Sequence, residues 1–335
     1  AQLKTAISVG LGLFIALIGL IDSKVVRQGG TPLELGLGGS LQGWPTLVFM
    51  FGLFLTLILM VRKVRGAILI GILSSTVLAV IIEAVAHLGA FNAEKNKTGW
   101  SLAVPHLNGS PFAMPSFETL GKFSLLGSID KVGIVSVVLL VFTLLLADFF
   151  DTMGTMIAVG AEGDLLDSEG NPPKTREILV VDSLAAIAGG VGGVSSNTSY
   201  IESATGVGEG ARTGLASVVT GCMFFLSMFI APLVSMVPYE AATPALVIVG
   251  FLMMTQVAEI DWTDLEIAIP SFLTIAMMPF SYSITNGIGA GFLSYVVLAV
   301  ARGKVKQIHP LMWLTAVLFL VYFTLAPIKA ILGVS

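Results

Sequence analysis

The feature that most constrains this chain is the length of its charge-free apolar runs. Residues 5–21, 45–61, 66–82, 213–238, 241–258 and 308–328 contain no Asp, Glu, Lys or Arg. Residues 267–301 are also free of them, over a stretch long enough for two spans. A bilayer core about 30 Å thick is crossed by about 20 residues of helix. Only a helix or a closed barrel satisfies its own backbone in lipid, and these runs are too long and unbroken to be barrel strands. The expectation is an all-α integral membrane protein with about ten spanning helices and one irregular segment among them. Composition agrees: 55% of the 335 residues are apolar and 11% are charged, against about 25% charged in a soluble domain.

Several function classes fall away. The net charge of −4 comes without a basic stripe, so nucleic acid is not an expected partner. Cys222 lies in an apolar run and His87, His106 and His309 are scattered, so neither a disulfide framework, a metal nor a cofactor is expected. The Ala1-Gln2-Leu3-Lys4 start lacks signal-peptide design; without an initiator methionine, it reads as the middle of a longer protein. Orientation follows from basic links. Arg62-Lys63-Val64-Arg65 and the stretch from Arg302 to Lys306 are expected in the cytoplasm. Counting spans then puts residues 91–131 outside and 162–176 inside, the latter turning at Asp167-Ser168-Glu169-Gly170-Asn171-Pro172-Pro173. The last run, 310–332, either crosses again or lies along the membrane.

The chemistry gathers between residues 132 and 212. An uncharged stretch, 132–147, leads into Asp148-Phe149-Phe150-Asp151-Thr152-Met153-Gly154-Thr155. Spacings of three and four put Asp148, Asp151, Thr152 and Thr155 on one helix face. Carboxylates in a span cost a few kcal/mol each unless paired, protonated or facing water. A helix end in the headgroups would solvate both aspartates, but residues 153–161 continue without charge, which favours a shared polar cavity.

The next signal is a Gly-rich stretch, Gly189–Gly193, followed by Ser195 to Glu202. The glycine spacing fits neither phosphate-loop nor dinucleotide motifs; in a membrane, glycines serve close packing or irregular backbone. Residues 195–202 are too polar for a lipid-facing helix. Non-helical backbone at membrane depth occurs where it lines a cavity in protein, and such breaks hold substrates in transporters. An extramembrane polar loop is the other reading. Glu202 would sit at the break, with Asn197, Thr198, Ser199 and Tyr200 beside it.

The motifs Phe149-Phe150-Asp151-Thr152-Met153-Gly154-Thr155 and Asn197-Thr198-Ser199-Tyr200-Ile201-Glu202-Ser203 resemble the paired signatures of AzgA-like purine permeases, within the nucleobase–ascorbate transporter superfamily. Leu3-Lys4-Thr5-Ala6-Ile7-Ser8 and Tyr282-Ser283-Ile284-Thr285-Asn286-Gly287-Ile288 extend the resemblance almost from end to end. It implies a fold of fourteen segments in two inverted seven-segment repeats, divided into core and gate domains. By that match the chain starts at the fifth segment and lacks the first four. Residues 1–90 would be gate helices (segments five to seven), 91–131 an extracellular loop, 132–238 the second half of the core, and 239–335 gate helices with a C-terminal apolar helix. A short strand is implied at 195–202, facing one in the absent third segment.

The resemblance also implies function: not an enzyme but a secondary transporter, taking up adenine, guanine or hypoxanthine with protons across the cytoplasmic membrane. Asp151 matches the core carboxylate that binds the nucleobase edge, Glu202 the second carboxylate, and Tyr200 lies beside the base. Phe150, Thr152, Thr155, Asn197, Thr198 and Ser199 complete the substrate-site candidates, and Asp148, Asp151 and Glu202 those for proton coupling. Thr155 stands where a relative, a bacterial uracil transporter, has a histidine coupled to proton movement, so the resemblance does not carry over the exact proton route. The expected partners are a purine nucleobase, a proton and the lipid bilayer, with a homodimer as one open assembly.

Elsewhere, Glu83 and His87 read as a structural pair or an interfacial placement, and Glu209 and Arg212 as an ion pair at a short helix end. Pro232, Pro270 and Pro279 are expected to kink or break helices, with Pro279 and Asn286-Gly287 marking the gap in residues 267–301. Met253, Met254, Met277 and Met278 read as packing. A transporter of uracil, xanthine or an anion on the same fold is the nearer alternative. An intramembrane aspartyl protease is the remote one, because Ala161-Glu162-Gly163-Asp164 lacks the first glycine of its motif.

Overall fold

The structure is a computed structural model. It describes residues 2–107, 109–124, 126–200 and 202–324, apart from the side chains of 132, 135, 136, 139, 142, 143, 146, 147 and 150. In chain order the elements begin with α1 (Gln2–Asp22), a small antiparallel hairpin of β1 (Val26–Arg27) and β2 (Glu34–Leu35), α2 (Trp44–Val61) and α3 (Ala67–Ala86). After a long loop come α4 (Ile129–Val132), α5 (Ile134–Glu162), α6 (Thr175–Gly192) and α7 (Ser203–Gly208). The chain continues through α8 (Gly214–Ser227), α9 (Ala231–Val234), α10 (Tyr239–Ala242), α11 (Pro244–Met254), α12 (Leu265–Ser281), α13 (Ile284–Ala301) and α14 (Pro310–Phe323).

Every expected span carries a helix, but they are not equally long. Among the described residues, five are long and apolar enough to cross a membrane: α1, α2, α3, the Tyr239–Glu259 stretch and α13. α8, α12 and α14 are shorter apolar helices of 14, 17 and 14 residues. The single span expected over 213–238 is divided. α8 stops at Ser227, and the chain restarts as α9 with Pro232 in its first turn, where a missing N–H costs nothing. Of the 310–332 run, only α14 lies within the described residues.

α3 buries mainly small and polar residues and exposes large apolar ones. On α3, Ser75, Ala79 and Glu83 are buried, while Leu73, Val77 and Ile81 are more than half exposed. Water would not tolerate such a continuous apolar stripe on a monomer, whereas lipid does. The chain is a multi-pass helical membrane protein.

The contacts sort into two compact units, one of residues 1–14, 117–204 and 253–335, the other of 15–116 and 205–252. In the second unit, α2 and α3 form a tight antiparallel pair. A Cβ on Gly71 would lie 1.9 Å from Thr56 Oγ1, so only glycine permits this approach. Val48, Ala79, Trp100 and Ala241 form a buried cluster. Glu83 ends α3 there: its carboxylate accepts from the Leu88 amide at 2.9 Å and from Trp100 Nε1 at 2.8 Å. His87 is exposed with φ 47 in the left-handed region, so the expected Glu83–His87 pair gives way to a carboxylate satisfying the helix's own terminal turn. The Glu209–Arg212 ion pair is corrected in the same way. Arg212 donates to the carbonyls of Val207 and Ala211 beyond the end of α7, and Glu209 accepts from the Gly66 amide at 3.0 Å.

In the first unit, α12 and α13 form a second tight hairpin. The uncharged run 267–301 breaks at Tyr282 (φ 52) and at Ser283, whose hydroxyl caps α13 by accepting from the Asn286 amide at 3.2 Å. The gap therefore falls between Pro279 and Asn286, while Pro270 and Pro279 both stay inside α12. At the far end of the hairpin, Glu266 binds Lys304 at 2.6 Å and Arg302 at 3.1 Å, tying the start of α12 to the basic link.

Candidate functional site

The site-bearing elements all lie in the first unit. α6 ends in a left-handed turn at Gly193 (φ 71), with the Val194 amide donating back to the Gly189 carbonyl at 3.0 Å. This is the Schellman geometry that reverses a chain after a helix. Thr119 Oγ1 and the Gly121 amide cap the carbonyls of Gly192 and Val191, at 2.9 and 2.8 Å. Residues 195–200 then run back along α6. Gly189 permits the contact, since a Cβ there would lie 2.5 Å from the Ser195 carbonyl oxygen. Further along, Asn197 Nδ2 donates to the Ala185 carbonyl at 3.3 Å and the Ser199 amide to Asp182 Oδ1 at 2.8 Å.

Successive anchors on α6 are thus 189, 185 and 182, against 195, 197 and 199 on the returning chain. Two extended residues advance about 6.6 Å, and three or four helical residues about 5 Å, so the two march nearly in step. The segment is non-helical, as its polarity predicts. The short strand implied at 195–202 is not formed among the described residues, because a strand exists only by pairing with another and none lies beside it.

Asp182 is the centre of this arrangement. It is buried, and it accepts from the Ser199 amide, from Ser199 Oγ at 2.9 Å and from Thr152 Oγ1 at 2.9 Å. Thr152 Oγ1 is also 2.8 Å from Thr198 Oγ1. A buried carboxylate needs this density of donors. Asp182 links α5, α6 and the extended segment through one side chain.

On α5 the four residues of the expected face span an arc of about 100°, with Asp151 at one edge and Thr152 at the other. Thr152 and Thr155 are buried. Asp148 is half-buried and accepts from Ser196 Oγ at 3.0 Å. Asp151, also half-buried, accepts from Thr285 Oγ1 of α13 at 3.4 Å. Phe150 lies on α5, its side chain outside the described residues. Thr198 and Ser199 are half-buried and Asn197 is exposed. Tyr200 and Glu202 are exposed at the start of α7, and the Glu202 carboxylate joins no hydrogen bond among the described residues. The structure therefore gathers Thr152, Thr198 and Ser199 around Asp182, ties Asp148 to the same returning segment through Ser196, turns Asp151 to Thr285, and leaves Glu202 outside that network among the described residues. Among the described residues no group of three His, Cys, Asp or Glu stands together as a metal site.

Asp182 was not among the residues singled out from sequence. The signal was present: Ile178-Leu179-Val180-Val181 before it and Leu184-Ala185-Ala186-Ile187-Ala188 soon after mark it as a carboxylate inside an apolar helix. Thr285 and Ser196, which face Asp151 and Asp148, carry no such signal, because isolated hydroxyls are common in spans.

Comparison with known proteins adds to this geometry. Residues 3–325 match the family model described as the permease family. The chain is 36% identical over 322 residues to the guanine/hypoxanthine permease PbuG of Bacillus subtilis, covering 96% of this chain and 68% of that protein. It is 37% identical over 320 residues to the adenine permease AdeP of Escherichia coli, covering 95% and 66% respectively. A second guanine/hypoxanthine permease of B. subtilis, PbuO, is 37% identical over 323 residues, covering 96% and 69%. The chain spans between 66% and 69% of the length of these curated relatives.

Proposed function

This chain belongs to the permease family, and from that premise we propose that its protein carries purine nucleobases across the cell membrane with protons, using Asp151 as a base-binding carboxylate. The observation that carries the reading is the Asp182 network, which holds a non-helical segment against the helix bearing Asp148 and Asp151. A packing helix has no need of buried carboxylates in an apolar span. A binding helix does, because a purine edge offers N–H donors and ring-nitrogen acceptors. An ionised carboxylate accepts from the former and a protonated one donates to the latter.

The relatives' names, guanine/hypoxanthine and adenine permease, favour purines over uracil or an anion. Ser199 and Thr198, held by Asp182, and Tyr200 beside them, supply polar and aromatic contacts to the base. Asn197, Thr155 and Phe150 are candidates for the outer part of the site. Glu202, exposed and without a hydrogen bond among the described residues, is open to a proton or a substrate. Asp148, Asp151 and Glu202 are the groups that could carry the coupled proton, since a carboxylate moved across lipid travels neutral or paired. Residues 132–238 act as core, and residues 1–90 and 239–335 as gate, rocking about the site.

Uptake of labelled adenine, guanine and hypoxanthine tests this in cells expressing the complete gene product and lacking their own purine permeases. Uptake is expected to be competed by purines rather than by uracil, to rise as external pH falls, and to collapse with a protonophore. Uptake of uracil alone, or purine uptake driven by sodium and indifferent to a protonophore, overturns the reading.

A further inference from the structure

A threonine in a helix ordinarily satisfies its hydroxyl on the carbonyl one turn back. Thr56, Thr76, Thr274 and Thr315 do so, donating to Gly52, Ile72, Pro270 and Leu311 at 2.7, 2.8, 2.9 and 2.8 Å. Thr285 does not. It sits in the first turn of α13, and the residue four back, Ser281, belongs to α12. The side chain is nevertheless buried, with 3% exposure. A buried hydroxyl requires a partner, and Thr285 Oγ1 finds it across the helix interface, in Asp151 Oδ1 at 3.4 Å.

The hydroxyl is held in place from several sides. The Ser283 cap and the left-handed Tyr282 fix where α13 begins, and the Tyr282 ring meets Phe14 edge-on, with centroids 5.4 Å apart. α5 approaches closely one turn beyond Asp151, where a Cβ on Gly154 would lie 3.3 Å from Ile7 and 3.8 Å from Ile288. An added methyl there would be in ordinary contact with Ile288 and slightly tight against Ile7, so α5 lies in close packing at this turn. At 3.4 Å the bond is long, so its value lies in orientation rather than strength.

We propose that Thr285 is a positioning residue for the nucleobase: its hydroxyl fixes the Asp151 carboxylate through Oδ1 and leaves Oδ2 directed to the base. The proposal rests on the reading of Asp151 as a substrate ligand. Losing one such hydrogen bond costs about two- to tenfold in affinity.

The test compares Thr285→Ser with Thr285→Ala in the complete gene product. These variants lose the same methyl group and differ only in the hydroxyl. Thr285→Val, which keeps the branched shape, is the third arm, and membrane abundance is measured for each. The expected result is a KM for purine raised about two- to tenfold in the Ala and Val variants, with maximal rate within about twofold of wild type. Thr285→Ser restores the KM, and Thr285→Ala in an Asp151→Asn background adds nothing to purine binding. Equal KM in the Ser and Ala variants overturns the proposal, as does an unchanged KM in both while Asp151→Asn abolishes uptake. Normal uptake by Asp151→Asn instead defeats the functional reading beneath it. If the Val variant fails to reach the membrane, the Ser and Ala pair still decides.

Discussion

Replacing Asp182 tests whether one side chain holds the extended segment in place. Asp182→Ala removes the acceptor for the Ser199 amide at 2.8 Å, the Ser199 hydroxyl at 2.9 Å and the Thr152 hydroxyl at 2.9 Å. The hydroxyls can turn elsewhere, since Thr152 and Thr198 already lie 2.8 Å apart. The Ser199 amide cannot. An orphaned buried donor costs about 1–3 kcal/mol; Ser199 is only half-buried, so water relieves part of that, and the loss is about 1–2 kcal/mol. Asp182→Asn is milder. Its carbonyl oxygen can face Ser199 and its amide can donate to Thr152, whose hydroxyl also accepts, leaving a loss of about 1 kcal/mol. The assay is thermal unfolding of the purified protein in detergent beside equilibrium binding of a labelled purine. Asp182→Ala should melt several degrees lower and lose binding, while Asp182→Asn melts close to wild type and binds more weakly. An Asp182→Ala protein with wild-type melting and wild-type binding refutes the reasoning.

Two further substitutions separate packing from function. Glu83→Gln should leave purine uptake intact yet lower the melting temperature, because the lost charge weakens the bonds from Trp100 Nε1 and the Leu88 amide; uptake reduced at normal stability would contradict this. Glu202 is exposed and makes no hydrogen bond among the described residues, so Glu202→Gln should change stability by less than about 0.5 kcal/mol. A loss of uptake in that variant, with normal melting and abundance, then marks a functional carboxylate, whereas unaltered uptake removes Glu202 from the site.

Much of this was legible in sequence, for reasons that differ from element to element. The spans followed from charge-free length alone, because lipid leaves the backbone few choices. The return of the chain after Gly193 was legible as a break, since Ser195 to Ser199 are too polar for a helix facing lipid. Its path was not, because it depends on the fit between Gly189 and Ser195 and on the single acceptor Asp182. Local spacing misled where a helix ended early. Glu209 and Arg212 are three apart, but Gly210 (φ 109) turns the chain between them, so each side chain finds backbone instead. Spacing on α5 put Thr152 and Asp151 on one face and could not show that, adjacent in sequence, they find different partners.

The most direct test of the central claim is purine binding and uptake by Asp151→Asn, measured with membrane abundance normalised. The substitution keeps the size and hydrogen-bonding capacity of the side chain, removes its charge and its titratable proton, and relieves a desolvation cost, so folding should be preserved. The account predicts a protein present in the membrane at wild-type level, melting at or above the wild-type temperature, that fails to accumulate adenine, guanine or hypoxanthine. Full proton-driven uptake by Asp151→Asn, or a variant that only aggregates, would contradict it.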